Sequence, residues 1–166
     1  MDNIDANNTV LDIGCGKGEV ARSVSQKAKE VVGIDISNKN IQLADENKTP
    51  TNLSYIVGDA TTYRFNQKFD VIILSNVLEH IKNRVDFLKK LSGIAPRILI
   101  RVPMITRDWI SVYKKNEGFA YRLDDTHYIE YDLHSFFKEI KEANLKILHY
   151  HINFGELYAV VQKLEK

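Results

Sequence analysis

Apolar residues fall along this chain in short runs that switch between two spacings. Thr9 to Ile13 carries Val10, Leu11 and Ile13 with only Asp12 interrupting, the pattern of a buried strand. From Glu19 the spacing changes to Val20, Ala21, Val24 and Ala28, one face of a helix. Glu30 to Ile36 reads as a second strand, and Ser37 then caps a helix that turns Ile41 and Ala44 inward. Asn52 to Val57 and Phe69 to Leu74 follow as strands three and four. Asn83 is placed to cap a helix with Val85, Leu88 and Leu91 on one face. Pro96 precedes a fifth strand, Arg97 to Ile100. Asp132 caps a helix carrying Leu133, Phe136, Phe137 and Ile140, with Tyr131 and Phe136 at hydrophobic-staple spacing. Leu145 to Ile152 and Leu157 to Val161 are strands six and seven. The turn between them, Asn153 to Glu156, is so short that the pair must be antiparallel.

Strands alternating with helices predict an α/β fold: a Rossmann-like, doubly wound sheet of seven strands, mostly parallel with the last strand antiparallel. One stretch departs from the alternation. Pro103 to Asp132 shows no sustained period, with a helical turn or two at Trp109 to Tyr113. It concentrates Trp109, Tyr113, Phe119, Tyr121, Tyr128 and Tyr131 beside Arg107, Asp108, Arg122, Asp124, Asp125, His127 and Glu130. Long loops in compact domains are usually functional. Residues 103–132 are therefore read as a substrate-side insert over the carboxyl edge of the sheet. The competing reading is a surface excursion packed by its own aromatics, or a dimer contact.

Composition narrows the class. The 166 residues make one domain, 1–166, with 44% hydrophobic and 27% charged residues. Lys and Arg number 23 against 22 Asp and Glu, so no global field draws nucleic acid or an anionic membrane. No apolar run reaches spanning length, and the polar start is no signal peptide. The single cysteine, Cys15, fits a reducing, cytoplasmic setting. No nucleic-acid or membrane partner is expected, and the chain is expected to be a monomer or homodimer.

The chemistry starts where the first strand ends. Gly14, Gly16 and Gly18 break the chain at alternate positions before the helix. Glycine permits the tight bend and the close approach of a ligand, and free N–H groups at the helix start would face it. Asp12 stands two residues before Gly14, where an acid would repel a pyrophosphate and suit a cationic ligand such as S-adenosyl-L-methionine. Asp35 closes the second strand 17 residues after Gly18, near the spacing of a ribose-binding acid. Gly58-Asp59-Ala60 follows the third strand, and Ser75-Asn76-Val77-Leu78-Glu79-His80 the fourth. His149 and His151 share a strand face, but no third ligand is near, and no metal is expected.

Asp12, Gly14, Gly16 and Gly18 form an acid-x-Gly-x-Gly-x-Gly loop, and with it the chain resembles the class I S-adenosylmethionine-dependent methyltransferases of small-molecule type. The resemblance runs from Thr9 to about Lys163. It implies cofactor contacts at Asp12, Ile13, Gly14, Cys15, Gly16, Gly18, Asp35, Ile36, Asp59, Ala60, Ser75 and Asn76. Asp59 would reach the adenine amino group. The stretch after the fourth strand is not Asn-Pro-Pro-Tyr, and Met104, not cysteine, follows Pro103, which argues against DNA modification. Family members usually carry helices ahead of the first strand, and this chain has almost none, so an open site or a missing lid is expected. The insert also resembles uncharacterised bacterial and archaeal methyltransferases, some linked to surface glycans.

The implied reaction is O- or N-methylation of a small molecule, glycan or metabolite. A hydroxyl acceptor needs a base, and His127 is the first candidate, with Glu130 or Asp124 to orient it and Tyr128 to contact the acceptor. Arg107 and Arg122 suit a carboxylate or phosphate. His80 is read as a packing or cofactor residue. Two rivals stand beside this reading: a non-catalytic cofactor-binding or interaction domain, and a nicotinamide-dependent oxidoreductase.

Overall fold

A computed structural model describes residues 3–47 and 50–164. The first half of the chain lays down β1 (Thr9–Ile13), α1 (Glu19–Ser25), β2 (Glu30–Asp35), α2 (Asn38–Glu46), β3 (Leu53–Val57), β4 (Val71–Ser75) and α3 (Arg84–Ser92). The second half adds β5 (Arg97–Pro103), α4 (Trp109–Asn116), α5 (Leu133–Glu142), β6 (Leu145–Asn153) and β7 (Glu156–Lys163). The seven strands form one sheet in the order β3-β2-β1-β4-β5-β7-β6. β1 pairs in parallel with both β2 and β4, whereas β7 runs antiparallel between β5 and β6. Among the described residues no helix is long and apolar enough to cross a membrane.

The apolar runs of the central strands bury both sheet faces. Leu11, Ile13, Val32, Ile34, Ile72, Leu74, Ile98 and Ile100 point to one side, where Phe87, Leu88 and Leu91 of α3 and Phe136 and Ile140 of α5 meet them. Val10, Val31, Val71 and Ile73 point to the other side, against Ala21 and Val24 of α1 and Ala28 beyond it. A strand alternates its side chains, so a run apolar at every position requires a cover on each face. β1 lies between β2 and β4, so successive connections leave it in opposite directions. The crevice that opens there, beyond the carboxyl ends of the strands, is where such sheets bind ligands.

Several local expectations change in the fold. Val20 is 41% exposed, and α1 buries Ala21 and Val24 instead. Asn83 occupies the N-cap of α3 but makes no capping bond with its side chain, whereas Ser37 accepts from Asn40 N–H as expected. Asp132 and Ser135 form a full capping box at α5, and the Tyr131 and Phe136 rings meet edge-on at 5.8 Å. Phe137 lies at the surface of α5, while Glu139 is buried. Arg84 donates to Glu139 Oε1 at 2.7 Å and the Tyr131 hydroxyl donates to Glu139 Oε2 at 2.8 Å, which explains a carboxylate at that depth. The insert is more ordered than its sequence suggests, with a turn of 3-10 helix at Ile105–Arg107 and eight residues in α4.

Phe136 is fully buried between α5 and the sheet. Phe136→Ala is expected to lower unfolding free energy by about 3–5 kcal/mol, read as a fall in the denaturant midpoint.

Candidate cofactor and acceptor site

The glycine turn is stitched to the end of β2. Gly14 and Cys15 N–H donate to the Ile34 carbonyl at 2.8 and 3.2 Å, and Gly16 N–H donates to Asp35 Oδ2 at 2.9 Å. Gly18 N–H turns back to the Cys15 carbonyl. These four N–H groups of the turn are therefore taken up inside the protein. What the turn supplies is shape. Gly14, Gly16 and Gly18 all have positive φ, and a Cβ on Gly14 would lie 2.6 Å from Val77 Cγ2. Gly18 carries Tyr55 on its back, with the phenol donating to the Gly18 carbonyl.

Asp12 and Cys15 sit under this turn. Asp12 is 2% exposed, and Oδ2 has no partner among the described residues. Burial pushes its pKa to about 7; the Ala21 N–H opposes the shift and the Asp35 charge adds to it. Burial likewise pushes the Cys15 thiol up to about 12, so it is a small packing group against Gly33.

A cleft of about 960 Å³ opens in front of the turn, lined by Ile13, Gly14, Asp35, Ile36, Asp59, Ala60, Asn76, His80 and Tyr128. Asp35 Oδ1 accepts from Ser37 N–H and the Asn40 amide, so with Gly16 three acceptor positions are used and one remains on Oδ2. Asp59 spends Oδ1 on Thr61 N–H and hydroxyl, leaving Oδ2 open to the cleft. Ile36 beside Asp35 is 73% exposed, an apolar wall with nothing against it. Lys90 of α3 donates to the carbonyls of Ala60, Thr61 and Tyr63, fastening the Asp59 loop. Ser75 lies on the opposite side of β4 and lines a second groove with His149, His151 and Tyr158.

The far end of the cleft joins the turn after β4 to the insert. Tyr128 N–H donates to the Glu79 carbonyl at 2.7 Å, and Thr126 Oγ1 lies 2.9 Å from His80 Nδ1. His127 is buried; its Nδ1 lies 2.8 Å from Glu130 Oε1, which also receives Leu123 N–H. The His80 and His127 rings meet edge-on at 4.8 Å. Of the three residues expected to act on the acceptor, Tyr128 lines the cleft, while His127 and Glu130 stand behind it. His80 is exposed and is the imidazole at the cleft surface. Glu79 is 1% exposed, and burial pushes its pKa to about 7. Arg107 is committed to Glu156 at 2.8 Å, beside Arg101, and Arg122 stands exposed outside the cleft lining.

A family model described as a methyltransferase domain matches residues 11–95, the half of the chain that carries β1 to β4 and α3. This chain belongs to the class I S-adenosylmethionine-dependent methyltransferases. It is 30% identical over 159 residues to the ubiquinone biosynthesis O-methyltransferase of Pelagibacter ubique, covering 74% of this chain and 66% of that one. It is 38% identical over 89 residues to a probable (S)-tetrahydroprotoberberine N-methyltransferase of Papaver bracteatum, covering 51% and 25%. The chain thus spans from a quarter to about two thirds of the length of these curated relatives. A methyltransferase from Methanosarcina mazei superposes with a TM-score of 0.78 at 18% identity over 99% of this chain and 96% of that one. The magnesium protoporphyrin IX methyltransferase of Synechocystis, solved with bound S-adenosylhomocysteine, gives 0.76 at 19%, over 98% and 77%. These two likenesses concern the fold.

The methyltransferase cofactor, S-adenosylmethionine, fits the residues present. Asp35 Oδ2 offers an acceptor to a ribose hydroxyl, Ile36 a flat apolar contact, and Asp59 Oδ2 an acceptor for an amino group. The cleft volume lies at the large end of the range for small-molecule sites, with room for a second molecule.

Two outcomes test this geometry. Gly14→Ala combines a strained φ with the contact on Val77, so it is expected to weaken S-adenosylhomocysteine binding; adding Val77→Ala should restore only part of the loss, in calorimetric titration. Asp12 has a folded pKa above its unfolded one, so its neutral form favours folding below about pH 4 and that contribution is lost as pH rises toward 7. Asp12→Asn should therefore gain stability relative to the parent between pH 4 and 8, by on the order of 4 kcal/mol at 1.36 kcal/mol per pKa unit. A constant difference across that range would refute the burial argument.

Proposed function

We propose that this chain transfers the methyl group of S-adenosylmethionine to an oxygen or nitrogen of a small molecule bound against the insert. The observation that carries this reading is one continuous cleft, running from the glycine turn and Asp35 to His80 and Tyr128. The cofactor supplies an electrophilic methyl on a sulfonium, and the protein's part is position, exclusion of water and a route for the acceptor's proton. Asp35, Ile36 and Asp59 hold the cofactor end, with Gly14 setting its depth. At the acceptor end Tyr128 meets the substrate, and the cluster of His80, His127 and Glu130 takes charge of its proton. Relatives named for O- and for N-methylation support the reaction class, and both acceptor atoms remain within it. A metabolite or a glycan fits the open cleft, and the single cysteine fits action in the cytoplasm.

Thermal melting with S-adenosylhomocysteine is the first test. A ligand at 100 times its Kd stabilises a fold by about 2.7 kcal/mol. The expected shift appears with the parent chain and is lost in Asp35→Ala; no shift in the parent would remove the cofactor reading. With a cofactor-consumption assay on candidate phenols and amines, His127→Ala is expected to lower turnover of a hydroxyl acceptor by about a hundredfold or more. Unchanged turnover would take His127 out of the acceptor chemistry.

A further inference from the structure

One nitrogen from each of His80 and His127 and one carboxylate oxygen of Glu79 lie within 4.8 Å of one another. We propose that these three side chains form a binding site for a divalent transition-metal ion, zinc in class, on the wall of the acceptor end of the cleft. Glu79 is 1% exposed, and its Oε2 has no partner among the described residues. A buried carboxylate oxygen left unpaired is costly unless a cation or donor meets it.

The second sphere is already built. Thr126 gives its one proton to Asp124 Oδ1 at 2.6 Å, so toward His80 it is an acceptor and His80 Nδ1 carries the hydrogen. Glu130 accepts from His127 Nδ1 in the same way. Each ring therefore keeps its free lone pair on Nε2. A carboxylate, direct or through one hydroxyl, behind each histidine is the arrangement that orients metal-binding imidazoles. Two imidazoles and one carboxylate favour zinc, iron, cobalt or nickel over magnesium or calcium. Ligands at zinc bond lengths of about 2.1 Å stand about 3.4 Å apart in a tetrahedron, so small side-chain rotations close the set.

Three protein ligands leave a position open, and His80 is the one of them that lines the cleft. An acceptor hydroxyl bound there would exchange its O–H bond for an O–metal bond, with the proton released to bulk water. This deepens the methyltransferase reading and rests on it: His127 then positions the ion instead of receiving the proton. The site also spans two segments, since Glu79 and His80 follow β4 and His127 belongs to the insert, so an occupied site would clip the insert over the crevice.

Equilibrium dialysis against Co(II), with visible absorption as a second readout, tests the proposal without turnover. One equivalent per chain is expected, with tetrahedral-type absorption. His80→Ala, an exposed position, and His127→Gln should each weaken binding by about tenfold or more, and Glu130→Gln by about tenfold. His149→Ala, on the exposed histidine pair of β6, should leave it unchanged. Cooperative melting of each variant checks the fold. No saturable binding, equal binding in His80→Ala, or loss only in His149→Ala would overturn the site. The S-adenosylhomocysteine shift of the parent chain is independent of these results, so the metal can fail while the methyltransferase reading stands.

Discussion

The carboxylate of Asp35 ties three segments of the chain to one point. One oxygen holds Gly16 in the glycine turn, and the other holds Ser37 and Asn40 at the entrance to α2. The turn needs that hold. Three of its residues sit at positive φ, and hydrogen bonds to a charged acceptor, each contributing about 1.5–3 kcal/mol, keep such a backbone in place. The same Oδ2 keeps one acceptor position free, so in the proposed cofactor site a ribose hydroxyl would share that atom with the turn. Cofactor binding and order in the turn would then be coupled through a single side chain.

The buried acids around the insert divide into two kinds. Glu139 is met by Arg84 and the Tyr131 hydroxyl, and Glu156 by Arg101 and Arg107. Both are fully answered inside the fold and belong to its framework. Glu79 and Glu130 each keep an oxygen with no partner among the described residues, and both face the histidines at the end of the cleft. Incomplete satisfaction at depth is uncommon in a framework and common where a ligand or proton completes the set.

The parts of this molecule that could be read in its sequence are those whose physics is local. The glycine turn, the acids at the ends of β2 and β3, the capping Asp132 and the antiparallel β6–β7 pair all depend on residues close together in the chain. What stayed hidden depends on distant partners. Glu139 reads as a polar helix position because Arg84, which neutralises it, lies on another helix. Arg107 reads as a substrate clamp because Glu156 is far along the chain. His80 and His127 form one cluster only after the insert folds back beneath the turn that follows β4. Two donors of the glycine turn likewise find their partner at a distance, since the Ile34 carbonyl that accepts from both belongs to the neighbouring strand.

The insert is fastened where it touches the cleft and bare elsewhere. Tyr131 bridges Met104, and Tyr128 bonds the Glu79 carbonyl, while α4 buries only Ser111 and leaves Trp109, Ile110 and Tyr113 outward. Substitutions on the outer side of α4 therefore perturb neither the sheet nor the glycine turn. That surface can be rebuilt without disturbing the half that carries the glycine turn. Where the insert meets the acceptor as proposed, rewriting this one segment would change what is methylated.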